Sequence, residues 1–272
     1  MGYSVPYFRC LDINFDSINE HSGIMRNLWS DQLDGIIIRD VVSKSFISEF
    51  LQLVTDSGAN IPSISYYWGQ VFGRVLTSQL DDIDEYFKDA LLYDSNLPQI
   101  WGNSSSSWPT FFSQILQILY GQLACIPQLS NGKFLLSSTV RLISHGKELT
   151  THCGNQFAQN TSKLYDLSRI SILDDQVSYF LLLQPPFEGG ELSIFDAKWS
   201  DRSEILSAGA TLVQTIESRD SLKLDLKAGD LLIFQGGQIY HRVERIHGSI
   251  PRITLGGFIT PSLDMQKLYF WS

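Results

Sequence analysis

The sequence predicts an α+β, mainly β protein: a double-stranded β-helix (jelly roll) core with a helical N-terminal layer packed on it. Short β-type runs separated by Gly, Pro, Asn and Asp fill the second half, whereas the first half carries apolar residues at helical spacing. No linker separates the halves, and 43% of the residues are hydrophobic. We therefore expect one domain over 1–272, helix-rich over about 1–130 and jelly roll over about 131–262.

The first half predicts helices around one strand. Ser43 is a candidate N-cap for the helix predicted at 43–56. Pro109 stands near the start of the helix predicted at 108–126, where proline is favoured. The segments are a β-branched strand at 34–42, helices at 43–56, 81–94 and 108–126, and a serine-rich loop at 102–107.

The second half predicts strands at intervals typical of an all-β sandwich or barrel. Each run is short, apolar on at least one face and bounded by turn residues. The runs are 135–144, 174–184, 190–199, 209–216, 229–237 and 252–261.

Composition excludes several classes of function. The 20 basic and 29 acidic residues give a net charge of −9, which argues against a nucleic-acid surface because phosphate binding needs clustered Lys and Arg. Cys10, Cys125 and Cys153 form no CxxC pair, so neither a disulfide framework nor a zinc site is expected. With no signal peptide and no membrane-length apolar run, we expect a cytoplasmic protein without a membrane partner.

Two histidines and an arginine stand out in the β half. A lone histidine is usually a packed or surface residue, but His152 and His241 lie on separate strands about ninety residues apart. Arg252 follows on the next strand, with Thr254 two residues on. Neutral imidazoles suit Fe(II), and a guanidinium pairs with a carboxylate through two hydrogen bonds, to which Thr254 can add another. The order suits a metal beside a carboxylate-bearing cosubstrate.

The residue two places after His152 is the unusual one. Metalloenzymes that use oxygen often carry Asp or Glu there, but this chain has Gly154. A glycine has no side chain, so the coordination position that such a carboxylate would take is left without a protein ligand.

These residues resemble a known superfamily, the non-haem Fe(II)/2-oxoglutarate-dependent oxygenases. The resemblance covers roughly 137–260, through His152-x-Gly154, EGGEL, His241 and Arg252-x-Thr254. The stretches HCGNQF, QVSYFLLLQPPFEGGELSIFDAKW, GGQIYHRVERIHGSIPRITLGGFI and LYFWS resemble, more narrowly, the free-standing aliphatic halogenases of hapalindole and welwitindolinone pathways.

The resemblance implies a cofactor set and a reaction. His152 and His241 would bind Fe(II), and Arg252 with Thr254 would hold the far carboxylate of 2-oxoglutarate. With O2 and chloride or bromide, the enzyme would chlorinate an unactivated aliphatic C–H bond of a free small molecule, of alkaloid type, without a carrier protein.

The resemblance also assigns residues around the halide. Gly154 would make room for the halide, which Asn155 could order, although Asn155 fits a turn equally well. Ser178 matches a serine that steers the reaction away from hydroxylation; its plain alternative is an ordinary strand hydroxyl.

Two other functions stay open from the residues. One is an Fe(II)/2-oxoglutarate-dependent hydroxylase with water in place of chloride, and the other is a non-catalytic jelly-roll binding module. Arg141 and Arg242 are either surface charges or residues of the active-site mouth.

Overall fold

The computed structural model of the chain describes residues 4–55, 61–76, 83–100, 107–158, 164–203 and 211–272, so most of the loop expected at 102–107 lies outside the described residues. The helices are α1 (Lys44–Thr55), α2 (Ile83–Ile100), α3 (Trp108–Tyr120), α4 (Asn155–Ala158), α5 (Tyr165–Ser168) and α6 (Leu212–Glu217). Short 3-10 helices cover Phe15–His21, Ile24–Leu28 and Trp199–Asp201.

The strands form two facing sheets and a small hairpin-like pair. They are β1 (Ser4–Val5), β2 (Phe8–Asn14), β3 (Gly35–Arg39), β4 (Ser63–Tyr66), β5 (Gly69–Phe72), β6 (Ala124–Cys125), β7 (Thr139–Ile143), β8 (Leu149–His152), β9 (Val177–Gln184), β10 (Glu188–Gly189), β11 (Leu192–Lys198), β12 (Ser221–Leu224), β13 (Leu231–Phe234), β14 (Ile239–Val243), β15 (Ile246–His247), β16 (Arg252–Pro261) and β17 (Leu268–Trp271).

The large sheet runs β1-β2-β3-β13-β9-β16-β7-β5-β4, with β17 on β16 and β6 on β17. The small sheet runs β12-β11-β14-β8. Their inner faces share one buried cluster, in which Leu232 and Phe234 of the large sheet lie with Leu192 and Ile194 of the small sheet. The described strands therefore build the sandwich of a jelly roll.

Helices α1, α2 and α3 pack on the other face of the large sheet. Phe112 of α3 stacks on Tyr179 of β9 with ring centroids 4.2 Å apart, and it meets Phe270 of β17 edge-on at 5.3 Å. Successive residues of a strand point to opposite faces, so Tyr179 faces the helices while Phe180 faces the sandwich interior. This two-sided burial explains why β9 and β13 are apolar almost throughout.

Two expectations are wrong in detail. The run 209–216 was expected to be a strand because it is β-branched, but its described part is helix α6, where Thr211 and Gln214 form a reciprocal capping box. The helix expected over 108–126 ends at Tyr120, because Gly121 adopts a left-handed backbone (φ 79°) and donates to the Gln117 carbonyl.

The first half also supplies strands that its helical periodicity did not predict. Besides β3, which was expected, β2 pairs with β3 in parallel and the β4–β5 hairpin extends the sheet beyond β7. Within the described ranges, none of the helices is both long and apolar enough to cross a bilayer.

Candidate active site

Two histidines from the small sheet lie side by side. His152 ends β8 and His241 lies within β14, and the two residues are direct cross-strand partners. Their ring centroids are 4.4 Å apart, and Phe234 of the large sheet meets His241 at 4.9 Å. The pair therefore faces the space between the sheets.

Hydrogen bonds and burial fix the chemical state of these imidazoles. Nδ1 of His152 lies 2.7 Å from the Thr150 carbonyl and Nδ1 of His241 lies 2.8 Å from the Ile239 carbonyl. A carbonyl only accepts, so Nδ1 carries the proton and each Nε2 keeps a free lone pair. Burial lowers the pKa of His152 to about 4, and burial and the neighbouring His152 hold the pKa of His241 well below its usual value. Both rings are thus neutral donors suited to a divalent metal.

The corner beside His152 is built from glycines. The Gly154 amide donates to the Gly236 carbonyl at 2.8 Å, and the Asn155 amide donates to the Gly237 carbonyl at 3.0 Å. A Cβ added at Gly154 would lie 2.6 Å from Nε2 of Gln176 and 3.1 Å from Cα of Gly237. Within the described ranges, no third His, Cys, Asp or Glu joins the two histidines in a metal-binding group.

Asn155 and Ser178 both border this corner. The side-chain amide of Asn155 donates from Nδ2 to the Asp175 carboxylate at 2.9 Å, and its Oδ1 accepts from the Asp175 backbone N–H at 3.1 Å. The Asn155 side chain therefore links these two segments of the chain. Ser178 lies on the inner side of β9, and its side chain occupies the space that a Cβ on Gly236 would take. The loop that anchors Gly154 therefore also touches Ser178.

Arg252 and Thr254 lie on β16, across the sandwich from the histidines. Both are buried, at 5% and 3% exposed. The Arg252 guanidinium lies over the ring of Phe180, 4.9 Å from its centroid, and Thr254 pairs with Leu182 of β9. Burial lowers the pKa of Arg252 to about 10, and the positive charge of Arg141 acts in the same direction.

Arg141, which the sequence leaves open as a surface charge or a residue of the active-site mouth, lies inside the sandwich. It lies on β7 directly opposite Thr254, and its side chain faces the interior, where its charge acts on both histidines and on Arg252. Burial lowers its pKa, and its Nε has no hydrogen-bond partner among the described residues. Neither Arg141 nor Arg252 forms an ion pair within the described part of the chain.

Arg242, left open together with Arg141, lies outside this space. It forms ion pairs with Glu217 at 3.2 Å and with Glu244 at 3.0 Å, and its side chain is about a third exposed. Cys153 is buried with Phe195 and Tyr240 on the far side of the small sheet, away from the histidine pair.

The sandwich places two neutral imidazoles opposite two guanidinium groups that form no ion pair among the described residues, an arrangement that suits a divalent metal beside a carboxylate-bearing cosubstrate. Comparison with known proteins makes the assignment narrower. Residues 7–272 match the family described as carrier-protein-independent halogenase WelO5, and the chain belongs to that family.

Solved structures agree on the fold. An N-substituted L-amino acid dioxygenase from Burkholderia ambifaria AMMD is similar at 17% identity over 90% of each chain, with a TM-score of 0.56. The structure of such a dioxygenase from the same organism in complex with alpha-KG is similar at 16% identity, covering 90% of this chain and 89% of that one, with a TM-score of 0.52. No curated protein matches the chain.

Proposed function

We propose that the protein chlorinates an unactivated aliphatic C–H bond of a free-standing small molecule of alkaloid type. The observation that carries the proposal is the pair of neutral imidazoles beside Gly154, with no carboxylate grouped with them among the described residues. Iron and 2-oxoglutarate, when bound, supply the oxidising chemistry: C–H, chloride, O2, 2-oxoglutarate and a proton become C–Cl, succinate, carbon dioxide and water.

The histidines would hold the iron. Their Nδ1 atoms are engaged by carbonyls of their own strands, which orients both Nε2 atoms without help from other side chains. Two neutral ligands leave the whole metal charge to be balanced by anions. In the absence of a side-chain carboxylate, chloride or bromide would supply the charge that Asp or Glu supplies elsewhere.

Arg252, which is buried, and Arg141, which is half-buried, fit a dianionic cosubstrate. A guanidinium removed from water without a counter-ion costs several kcal/mol, so each side chain favours a site that an anion completes. Arg252, with the Thr254 hydroxyl, would pair with the far carboxylate of 2-oxoglutarate through two hydrogen bonds. Arg141, whose charge reaches both histidines, would face the metal-proximal end.

Ser178 and three nearby aromatic residues (Tyr66, Trp68 and Phe157) would position the substrate. The Ser178 hydroxyl lies on the interior face of β9 next to Gly236, from where it can hold an oxygen atom away from the carbon that is to receive chlorine. Tyr66 and Trp68 stack at 5.2 Å, and Phe157 meets His152 at 5.9 Å while 43% exposed. These rings suit an apolar, polycyclic substrate.

One assay tests the reaction. Anaerobically reconstituted Fe(II) protein receives 2-oxoglutarate, candidate polycyclic alkaloids and O2, with or without chloride, and products are weighed by mass spectrometry. The chlorine isotope doublet supports the proposal. A product that gains only oxygen at saturating chloride would instead make the protein a hydroxylase.

Substitution of Gly154 tests the same point. Gly154→Asp restores a carboxylate and should shift the product towards hydroxylation. The new Cβ meets Nε2 of Gln176 at 2.6 Å, so the double variant Gly154→Asp/Gln176→Ala provides the space that the aspartate needs. Unchanged chlorination in both variants would contradict the account.

A further inference from the structure

Gln176 has a buried side-chain amide whose nitrogen faces the space beside Gly154. The residue is 1% exposed, and its Nε2 has no hydrogen-bond partner among the described residues. That nitrogen lies 2.6 Å from the position of a Cβ on residue 154, which is the root of the missing carboxylate. A buried N–H left unpaired is destabilising, so the position favours an acceptor supplied by a ligand.

The surrounding backbone holds the main chain of Gln176 in place. The Gly237 amide donates to the Gln176 carbonyl at 2.8 Å, while the reciprocal bonds between Asn155 and Asp175 fix the preceding residue against α4. Glycine at 237 is required for this approach, because a Cβ there would overlap the Gln176 backbone. The main chain of Gln176 is therefore fixed beside Gly154, and its side chain is buried there.

We propose that Gln176 is a positioning residue that donates a hydrogen bond from Nε2 to the halide bound beside Gly154. The inference rests on the proposed function, because it needs an anion in that corner. An uncharged donor has a specific advantage here: it stabilises an exchangeable monatomic anion without adding a second permanent charge next to the metal. Asn155 has a different role, since its amide is already engaged by Asp175.

The test is a chloride titration of the Fe(II)·2-oxoglutarate protein without O2, at constant ionic strength with gluconate as the replacing anion. The readout is the absorption band of the Fe(II)/2-oxoglutarate complex, which is independent of turnover. We expect the wild-type band to shift saturably with chloride. In Gln176→Leu the midpoint should rise about tenfold or more, the size expected for loss of a hydrogen bond to a charged group.

Matched variants separate this role from a structural one. Gln184→Leu removes a side-chain amide at the far end of β9, the strand that follows Gln176; that amide donates to the Pro251 carbonyl at 2.9 Å, and its loss should leave the chloride midpoint unchanged. Gln176→Asn keeps an amide and should recover part of the affinity, whereas Gln176→Glu should abolish the chloride response by repulsion. If Gln176→Leu does not fold, the Asn and Glu variants carry the comparison.

The possible failures are distinguishable. A wild-type band that forms with 2-oxoglutarate but ignores chloride overturns the halogenase proposal, and the role of Gln176 with it. A chloride-dependent wild-type band with the same midpoint in Gln176→Leu, or in both Gln176→Asn and Gln176→Glu, overturns only the role of Gln176.

Discussion

Arg39 differs from Arg252 and Arg141, which lie on the same large sheet, in how its charge is balanced. Arg39, at the end of β3, pairs with Asp12 at 2.6 Å and with Asp230 at 2.5 Å, and these bonds raise its pKa. Arg252 and Arg141 have no such partners among the described residues, and burial lowers the pKa of both. Arg39 completes its charge balance within the fold, whereas Arg252 and Arg141 find no counter-charge among the described residues.

The difference separates structural charges from functional ones. An ion pair formed within the chain is lost when the chain unfolds, so it contributes to folding. A buried cation without a counter-ion opposes folding, and an anion that bound beside it would offset that effect. Substitution of Arg39 should therefore lower the stability of the fold, whereas substitution of Arg252 or Arg141 should lower the affinity for 2-oxoglutarate.

The largest effect on stability is expected at the paired arginine. Arg39→Met leaves Asp230, whose side chain is 2% exposed, without its counter-charge. Removing one partner of a buried pair costs about 3–5 kcal/mol, which urea unfolding of the metal-free protein would measure. An unchanged unfolding midpoint would erase the distinction between Arg39 and the other two arginines.

Substitution of Arg252 should act on binding instead. Arg252→Met should weaken 2-oxoglutarate binding by about 2–5 kcal/mol, while the metal-free protein keeps or gains stability. Arg242→Ala is the matched control, because that arginine is surface-paired with Glu217 and Glu244. Titration calorimetry with 2-oxoglutarate and urea unfolding give the two readouts; loss of stability with intact binding would reverse the assignment.

Arg141 should show the same pattern with a smaller effect. Arg141→Gln keeps a polar group of similar length but removes the charge, so we expect 2-oxoglutarate affinity to fall by about 1–3 kcal/mol. The same titration measures it. Affinity equal to that of the wild type would show that the cosubstrate is held by Arg252 alone.

The pH dependence of the metal-free protein tests the uncharged state of the two histidines rather than either arginine. His152 has a folded pKa of about 4 and His241 one well below 6.5, so the unfolded chain takes up protons first as the pH falls. Stability should decrease between about pH 6.5 and pH 4, approaching about 1.4 kcal/mol per pH unit for each histidine. Urea unfolding at pH 7, 6 and 5 measures the slope, and His152→Gln/His241→Gln should flatten it. An equal slope in that variant would contradict the assignment.

Spacing and residue type in the sequence were enough to identify three residues of the candidate site. His152 and His241 stand out because each follows a recognisable strand, and Gly154 stands out because a carboxylate is absent. The structure brings the two histidines together as cross-strand partners, with Gly154 in the adjoining corner. The strand at 34–42 and the three helices were also readable, because their periodicity agrees with the faces they bury.

Other residues needed the tertiary structure. Arg141 lies in a strand buried on both faces, so alternation could not tell whether it points to the helices or to the interior. The capping pattern of Thr211 and Gln214 was present in the sequence and would have identified α6, but the β-branched run outweighed it. Gln176 follows two aspartates and resembles a turn residue until Gly154 and Gly237 are placed beside it.

The amino-acid sequence by itself determined the two-part layout of the chain, the pair of imidazoles and the missing carboxylate, because these depend on local periodicity and on residue identity. Only the tertiary structure decided which charges face the interior and which find partners. Burial and pairing are set by contacts between segments far apart in the chain, such as Arg39 with Asp230, and no local pattern encodes them.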